Sequence, residues 1–512
     1  MQKETSRTFN SMRNIIFSIA IQICTVLLNF ASRTVFIKIL GSEYLGINGL
    51  FTNVLTILSL AELGIGNAII YSMYKPLANK DTKKITALMN FYKEVYKKIA
   101  IVILIMGIAI IPFLKYIVNM EQEIEHIYIY YVLFLTNTVV SYFFIYKVSI
   151  INADQKMYIQ KVYQFITLII QFILQVIILV TTHNFMLYLI VQIVCTIGNN
   201  VALSLKADKL YPYINEKEIL EEEDRKSIYS NVSAMFIHRI TGTILNNTDN
   251  ILISILVGTV WVGYYSNYYM IVSSILSMGT LVFTAITASI GNLNANTDTK
   301  KQESIFQQLN LISFIIFGVC TIGLANLFDD FITLWIGKEY ILDNLTMLSI
   351  VINFYIQGTL NPGLVFKDTT GLFKDTKWMS IILAVLNIVL SIVLGKIIGL
   401  AGILVATFIS RLLTICWYQP YMLYKNIFHM SSKKYFLQQA KYVVTLLITY
   451  WISKLAVSFI TEVSIVNFIV KGFLVLCIIM IFFYIAIRKD NEFKMLKEKF
   501  LNPIIKKLKK KV

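Results

Sequence analysis

The sequence predicts an all-α polytopic membrane protein with about fourteen transmembrane helices, and three observations support this fold class. The chain of 512 residues is 57% hydrophobic and only 15% charged, whereas about a quarter of the residues in a soluble domain are charged. The apolar residues fall into runs of about 20, the length that crosses the hydrocarbon core of a bilayer. Because backbone groups in lipid must be hydrogen-bonded within their own segment, we expect these runs to be helices.

The apolar runs are separated by short polar connections. The first run is too long for the core of a signal peptide, so we interpret it as the first span. The run at 260–290 is long enough to tilt or to project beyond the membrane. The predicted spans are 14–40, 47–73, 97–118, 126–150, 158–182, 184–206, 231–257, 260–290, 305–328, 342–366, 376–396, 400–423, 438–461 and 465–487.

Lysine and arginine are distributed unevenly among the connections. The formal net charge of +17 comes mainly from alternate connections and from the two ends of the chain, which is typical of cytoplasmic loops. The intervening connections are acidic and contain Asp329 and Asp330. This bias places both termini in the cytoplasm, requires an even number of spans, and argues against nucleic acid as a partner.

An internal repeat relates the two halves of the chain. A shift of 217 residues superimposes Asn29 on Asn246, Gly41 on Gly258 and Gly46 on Gly263, and it also aligns the loops 78–84 and 295–301. Because six spans separate the two copies, they have the same orientation in the membrane. Parallel repeats in transporters are related by an axis along the membrane normal.

The repeat and the charged loop between its copies predict the organisation of the chain. We expect two pseudo-symmetric lobes of six helices, followed by two accessory helices and a basic tail. The predicted boundaries are 1–206 for the N-lobe, 207–230 for a cytoplasmic loop, 231–423 for the C-lobe, 424–487 for the accessory helices and 488–512 for the cytoplasmic tail.

Polar residues occupy one face of span 1 and the equivalent face of span 7. Gln22, Asn29 and Arg33 are spaced by helical turns in the first, as are Arg239 and Asn246 in the second. Polar residues in spans usually face the bundle interior or a hydrated cavity. The two faces are predicted to line one central cavity, and the alternative is that they join helices through hydrogen bonds.

Ionisable residues within the spans indicate what such a cavity would bind. A guanidinium is always charged and binds phosphate with two parallel hydrogen bonds, so Arg33, Arg239 and Arg411 suit an anionic diphosphate. Glu62 and Asp249 are candidates for counter-ions to these arginines or for sites that bind a coupling proton or Na⁺. His238 is either a proton switch or structural.

Motifs for catalysis or cofactor binding are absent from the sequence. There is no phosphate-binding GxxxxGK[ST] motif and no HExxH or comparable metal-ligand cluster. The five cysteines lie within apolar runs without a CxxC pair, and we interpret them as small buried apolar residues. We therefore expect no enzymatic activity, no cofactor and no metal site.

Four stretches have a distinctive sequence. They are RTVFIKILG at 33–41 with EYLGINGLF at 43–51, ELGIGNAI at 62–69 with YKPL at 74–77, DNILIS at 249–254 with VGYYS at 262–266, and FITLWIG at 331–337. In these stretches the chain resembles the bacterial Wzx-type polysaccharide flippases of the multidrug/oligosaccharidyl-lipid/polysaccharide exporter superfamily. The resemblance covers most of the chain but is generic in the final spans.

The resemblance implies alternating access by two lobes around a central cavity in the bacterial plasma membrane. The implied substrate is an oligosaccharide repeat unit on undecaprenyl diphosphate, destined for capsule or exopolysaccharide. The expected partners are this lipid, the membrane lipids, a proton or Na⁺, and the glycan polymerase machinery. The alternatives are a cation-coupled multidrug antiporter or a lipid II flippase of the same superfamily and, more distantly, a membrane glycan polymerase.

Overall fold

A computed structural model describes residues 7–62, 65–119, 124–154, 156–294, 299–370 and 372–498. The secondary structure of these residues is helical, without a β-strand. The α-helices, numbered in chain order, are α1 Arg7–Leu58, α2 Ile65–Asn79, α3 Thr82–Ile110, α4 Leu114–Ile117, α5 Ile127–Tyr142, α6 Ile145–Ala153, α7 Met157–Thr182, α8 Phe185–Leu210, α9 Glu222–Leu256, α10 Thr259–Asn294, α11 Thr299–Trp335, α12 Asn344–Thr359, α13 Asn361–Thr370, α14 Phe373–Leu413, α15 Ile415–Leu423, α16 Lys433–Ser458, α17 Ile465–Ile487 and α18 Asn491–Leu496.

Eight helical segments of the described chain are long and apolar enough to cross a bilayer, and α5 with α6 makes a ninth if this bent pair is one span. Two of the eight each cover all or part of two predicted spans. Ile21–Leu58 has 38 residues, or about 57 Å of helix, which is too long for one crossing of a core about 30 Å thick. It bends at Gly41, and Thr376–Phe428 bends at Ile398 and Gly399. The predicted all-α polytopic class is confirmed.

Several of the predicted spans are interrupted, among them 47–73 and 342–366. In span 47–73, α1 ends at Leu58 and a 3₁₀ turn covers Ser59–Glu62 before α2 begins at Ile65. In span 342–366, α12 ends at Thr359 and α13 begins at Asn361. Pro362 follows, and it has no backbone N–H with which to continue a helix. At the second interruption the carbonyl oxygen of Gly358 accepts a hydrogen bond from the Ser313 hydroxyl of α11 at 3.2 Å, so a backbone group near the break is paired with neighbouring protein.

The chain divides into two compact units, Met1–Gly263 and Tyr264–Val512. In unit 1, α1 packs against α7 and α9, while α8 packs against α5 and α7. Aromatic rings fix α1 on α8, because Phe36 lies 5.8 Å from Phe185 and 5.2 Å from Tyr188 between ring centroids. This contact begins one helical turn from Arg33 and therefore positions the polar face of α1.

The loop between the predicted lobes is attached to unit 1. The Thr86 hydroxyl donates to the carbonyl oxygen of Tyr213 at 3.0 Å, and the Asn90 side chain donates to the carbonyl oxygen of Glu216 at 2.8 Å. The Tyr211 hydroxyl donates to Asp154 at 2.6 Å. Burial and this carboxylate raise the pKa of Tyr211, so its hydroxyl remains a donor. The loop is thus an ordered part of the fold.

In unit 2 the last two long helices pack on α11. The ring of Phe314 stacks on Tyr442 of α16 at 4.1 Å and on Phe483 of α17 at 4.6 Å. Ion pairs stabilise both ends of this three-helix group. Lys441 pairs with Asp490 at 2.6 Å, and Lys471 pairs with Asp330 at 2.6 Å.

The five cysteines are free thiols, but only Cys195 is buried. Cys24 and Cys477 are exposed, so the prediction that all five would be buried was wrong. The physical reason is that lipid tails are as apolar as a protein core. A small apolar side chain in a span therefore needs no protein cover.

Candidate functional site

The polar face of α1 lies in unit 1. Gln22 and Arg33 are half-buried, and Asn29 is exposed. Arg33 interacts electrostatically with Tyr188 of α8. A guanidinium near the bilayer centre costs roughly 2.5–3.5 kcal/mol, and the contact with a polar phenol offsets part of this cost. The half-buried position of Arg33 agrees with either prediction for a polar residue in a span, a cavity lining or a contact between helices.

Glu62 is held by tyrosines. The Tyr96 hydroxyl donates to Oε1 of Glu62 at 3.4 Å, and Tyr142 contacts the same carboxyl group. The two tyrosine rings stack at 6.4 Å and are buried. The sequence alternatives for Glu62 were a counter-ion to the arginines or a site for a coupling ion. The phenol contacts show that part of its hydrogen-bonding capacity is used within unit 1.

The remaining predicted residues are distributed over both units. Asp249 is buried on α9 of unit 1. Arg411 is buried on the last turn of α14 in unit 2. Its guanidinium interacts electrostatically with the thiol of Cys416. A cation at this end of a helix is stabilised by the helix dipole. The side chains of His238, Arg239 and Asn246 lie outside the described residues, and their roles stay predictions.

A buried polar cluster in unit 2 was not singled out from the sequence. The bend at Ile398 and Gly399 brings the two arms of α14 together, and the Asn387 side chain donates to the Thr407 hydroxyl at 3.0 Å. Asn387 and Ser391 are fully buried. Their oxygen atoms Oδ1 and Oγ have no hydrogen-bond partner in the described part of the chain.

Asn387 and Ser391 are four residues apart on α14, so they lie one helical turn apart on the same face. A buried polar atom without a partner costs about 1–3 kcal/mol, and hard cations prefer oxygen ligands. The signal that could have found this cluster is the same i, i+4 spacing of polar residues that marks span 1.

An apolar cavity of about 520 Å³ lies in unit 2 between α11, α12 and α16. Most of its lining is aliphatic or aromatic, including Ile352 and Trp451. Tyr355, which also lines it, has a hydroxyl group without a hydrogen-bond partner among the described residues. The lining suits a hydrocarbon chain better than a sugar.

Comparison with known proteins agrees with this architecture. The family model described as "Polysaccharide biosynthesis protein" matches residues 11–290. No curated protein matches the sequence significantly.

Several solved structures are similar in fold. The lipid II flippase MurJ in an inward closed conformation has a TM-score of 0.70 at 16% identity, over 93% of this chain and 99% of that chain. An inward-facing multidrug resistance MATE family transporter of the MOP superfamily has a TM-score of 0.56 at 14% identity, over 78% of this chain and 95% of that one. A mutant form of the Vibrio cholerae MATE transporter VcmN has a TM-score of 0.54 at 13% identity, over 83% and 100%. The chain therefore belongs to the polysaccharide biosynthesis protein family and has the fold of the flippases and multidrug transporters of the MOP superfamily.

Proposed function

We propose that the protein is a flippase that moves undecaprenyl-diphosphate-linked oligosaccharide repeat units from the inner to the outer leaflet. Membership of a polysaccharide biosynthesis family and the MurJ-like fold support a lipid-linked glycan as substrate. The observation that carries the proposal is Arg33, a half-buried cation on the polar face of a membrane helix. A diphosphate complements this charge, whereas a cationic drug does not.

The expected transport cycle follows from the chemistry of the substrate. The diphosphate headgroup enters from the inner leaflet and is bound by arginines, for which Arg33, Arg239 and Arg411 are the candidates. The sugars occupy a polar lumen lined by residues such as Gln22 and Asn29. The prenyl chain stays in an apolar environment, either lipid or a surface of the kind that lines the unit 2 cavity. The lobes at 1–206 and 231–423 then rock and release the headgroup outside.

The lipid II flippase and the multidrug antiporter are the alternatives within the same fold. The structures similar in fold include a lipid II flippase and a multidrug resistance transporter. A membrane glycan polymerase is the distant alternative, and the chain has no large connection that could hold a catalytic domain. These alternatives predict different cellular phenotypes, so one genetic experiment separates them.

Deleting the gene is expected to make a lipid-linked oligosaccharide accumulate with its headgroup facing the cytoplasm. Accessibility of the glycan to an impermeant reagent, in right-side-out and inverted vesicles, measures this distribution. Expression of this chain alone should restore the outer population. Normal glycan export together with increased drug sensitivity would instead establish the antiporter, and loss of glycan polymerisation with normal flipping would establish the polymerase.

The unpartnered oxygens of Asn387 and Ser391 support cation coupling as part of this function. Asn387→Leu and Ser391→Ala are each expected to raise the half-maximal Na⁺ concentration of transport about tenfold, which corresponds to the loss of one ligand worth ~1.4 kcal/mol. The measurement is transport into vesicles at varied Na⁺ and fixed pH, repeated at varied pH without Na⁺.

Ser410→Ala is a matched control. Ser410 is also a buried serine of α14, but its hydroxyl already donates to the carbonyl oxygen of Ala406 at 2.7 Å. An unchanged cation dependence in both the Asn387 and the Ser391 variants would exclude this cluster and leave Glu62, Asp249 and His238 as the coupling candidates.

A further inference from the structure

Two helical segments of unit 1 approach each other through glycine. They are the segment of α1 that follows Gly41 and the first turn of α10. A methyl group on Gly46 would overlap the backbone carbonyl oxygen of Thr259, and one on Gly263 would overlap the carbonyl oxygen of Ser42. The carbon added at Gly263 would also lie 3.2 Å from the backbone nitrogen of Gly46. The backbones are therefore in direct contact.

The contact is reciprocal under the sequence repeat. The shift of 217 residues places Ser42 on Thr259 and Gly46 on Gly263. The contact of Gly46 with Thr259 is therefore equivalent to the contact of Gly263 with Ser42. Each helix presents two small residues four positions apart, which permits close crossing in membranes. We name the segments Ser42–Gly46 and Thr259–Gly263 the glycine crossing.

The turns that lead into the glycine crossing are also equivalent. Gly41 has a φ of 82° and Gly258 a φ of 137°, both in the region that favours glycine. On the α10 side the turn is fixed, because the Thr259 N–H donates to the carbonyl oxygen of Asn119 at 2.7 Å. The Ser254 hydroxyl donates to the carbonyl oxygen of Ile117 at 2.7 Å. Ile47 and Val262, next to the two glycines, are fully buried. Cγ1 of Val262 would lie 3.3 Å from a carbon added at Gly49, so apolar side chains pack beside the contact of the backbones.

The position of the glycine crossing along α1 gives it a relation to the candidate site. Gly41 follows Arg33 by eight residues, or about 12 Å of helix rise. The distribution of lysine and arginine assigns the end of the predicted span 14–40, just before Gly41, to the outer face. The crossing therefore lies on the outer side of the residue that is expected to bind the diphosphate.

We propose that the glycine crossing is the outer closure of the transport path, in contact when the path opens inward and separated when it opens outward. This inference rests on the proposed function, because a closure has a role only in a transporter. The size of residues 46 and 263 then sets the balance between the two states. Any side chain larger than glycine weakens the closed state, because it overlaps a backbone carbonyl group that cannot rotate away.

A reversible cross-link tests the separation. The added carbon at Gly49 lies 3.3 Å from Cγ1 of Val262, so Gly49→Cys with Val262→Cys is expected to form a disulfide when the five native cysteines are replaced by serine. Oxidation should reduce flipping at least about tenfold, and a reductant should restore it. Transport at the same rate in the oxidised and reduced forms would overturn the proposal.

A second cysteine pair controls for oxidation and for general rigidity. The Thr167 hydroxyl donates to the side chain of Asn199 at 3.3 Å, which joins α7 to α8 within unit 1. Thr167→Cys with Asn199→Cys should cross-link without a comparable loss of transport. Equal losses from both pairs would assign the effect to rigidity of unit 1 and would also overturn the proposal.

Alanine substitutions test the role of residue size independently of the substrate. Gly46→Ala and Gly263→Ala should each increase labelling of an Asn29→Cys reporter by an impermeant maleimide from outside, by roughly fivefold. Gly198→Ala is the matched control, because an added carbon at this helical glycine meets no atom within 4 Å. Unchanged labelling in both test variants would contradict the proposal. If the labelling increases but the protein moves no lipid-linked glycan, the role of the glycine crossing as a closure stands and only the proposed substrate is rejected.

Discussion

Replacing both Arg33 and Arg411 with alanine is expected to abolish export of the lipid-linked glycan while the protein still reaches the membrane. Each guanidinium is expected to donate charge-assisted hydrogen bonds to the diphosphate, worth about 1.5–3 kcal/mol for each charged contact. Loss of both contacts corresponds to about a 10²- to 10⁴-fold lower rate. The measurement is the appearance of the glycan headgroup on the outer side of vesicles, normalised to the amount of folded protein.

Two further variants separate recognition of phosphate from general electrostatics. Replacement of both arginines with lysine keeps the charge but loses the planar fork of donors, so an intermediate rate is expected. Lys38→Ala removes an exposed cation from the same helix as Arg33 and should leave transport unchanged. Normal export by the double alanine variant would remove the arginines from the substrate site.

The sequence predicted the helical class and the repeat because both depend on local patterns. Apolar runs fixed the approximate positions of the helices, including α7 and α17 almost to their ends. The glycine register also carried structural information, since Gly41 and Gly258 both adopt positive φ. The break before Asn361 was missed although Pro362 marked it, because hydropathy averaged over a span is insensitive to one residue that interrupts hydrogen bonding.

The candidate site was predictable only in part, because the partners of a polar residue lie far away in the chain. Helical spacing placed Gln22, Asn29 and Arg33 on one face of α1. It could not indicate that tyrosines of α3 and α5 contact Glu62. The Asp329 and Asp330 pair was assigned to an acidic outer connection, yet both residues lie within α11. The ion-pair partner of Asp330 is Lys471, which lies on a helix more than a hundred residues later in the chain.

Lys471→Met is expected to destabilise unit 2 by about 3–5 kcal/mol, because it leaves the Asp330 carboxylate without its buried partner. The two groups lie 2.6 Å apart with side-chain exposures of 6% and 15%. Unfolding of the purified protein in mixed detergent micelles measures the change. The exposed pair between Lys226 and Glu222 offers a matched control, because both side chains are about four-fifths exposed, at 78% and 80%. Lys226→Met should change the stability by less than about 1 kcal/mol.

A double substitution decides whether the pair of Lys471 and Asp330 stabilises unit 2 or only avoids a penalty. Replacing a buried ion pair by apolar residues of similar size is often neutral, since the desolvation of both charges is then avoided. Lys471→Leu with Asp330→Leu should therefore recover most of the stability lost in the single variant. Recovery would mean that the pair specifies how α17 docks on α11 without adding net stability. If the double variant is as unstable as the single one, the attraction between the charges exceeds their desolvation cost, and the pair is a true source of stability for the accessory helices.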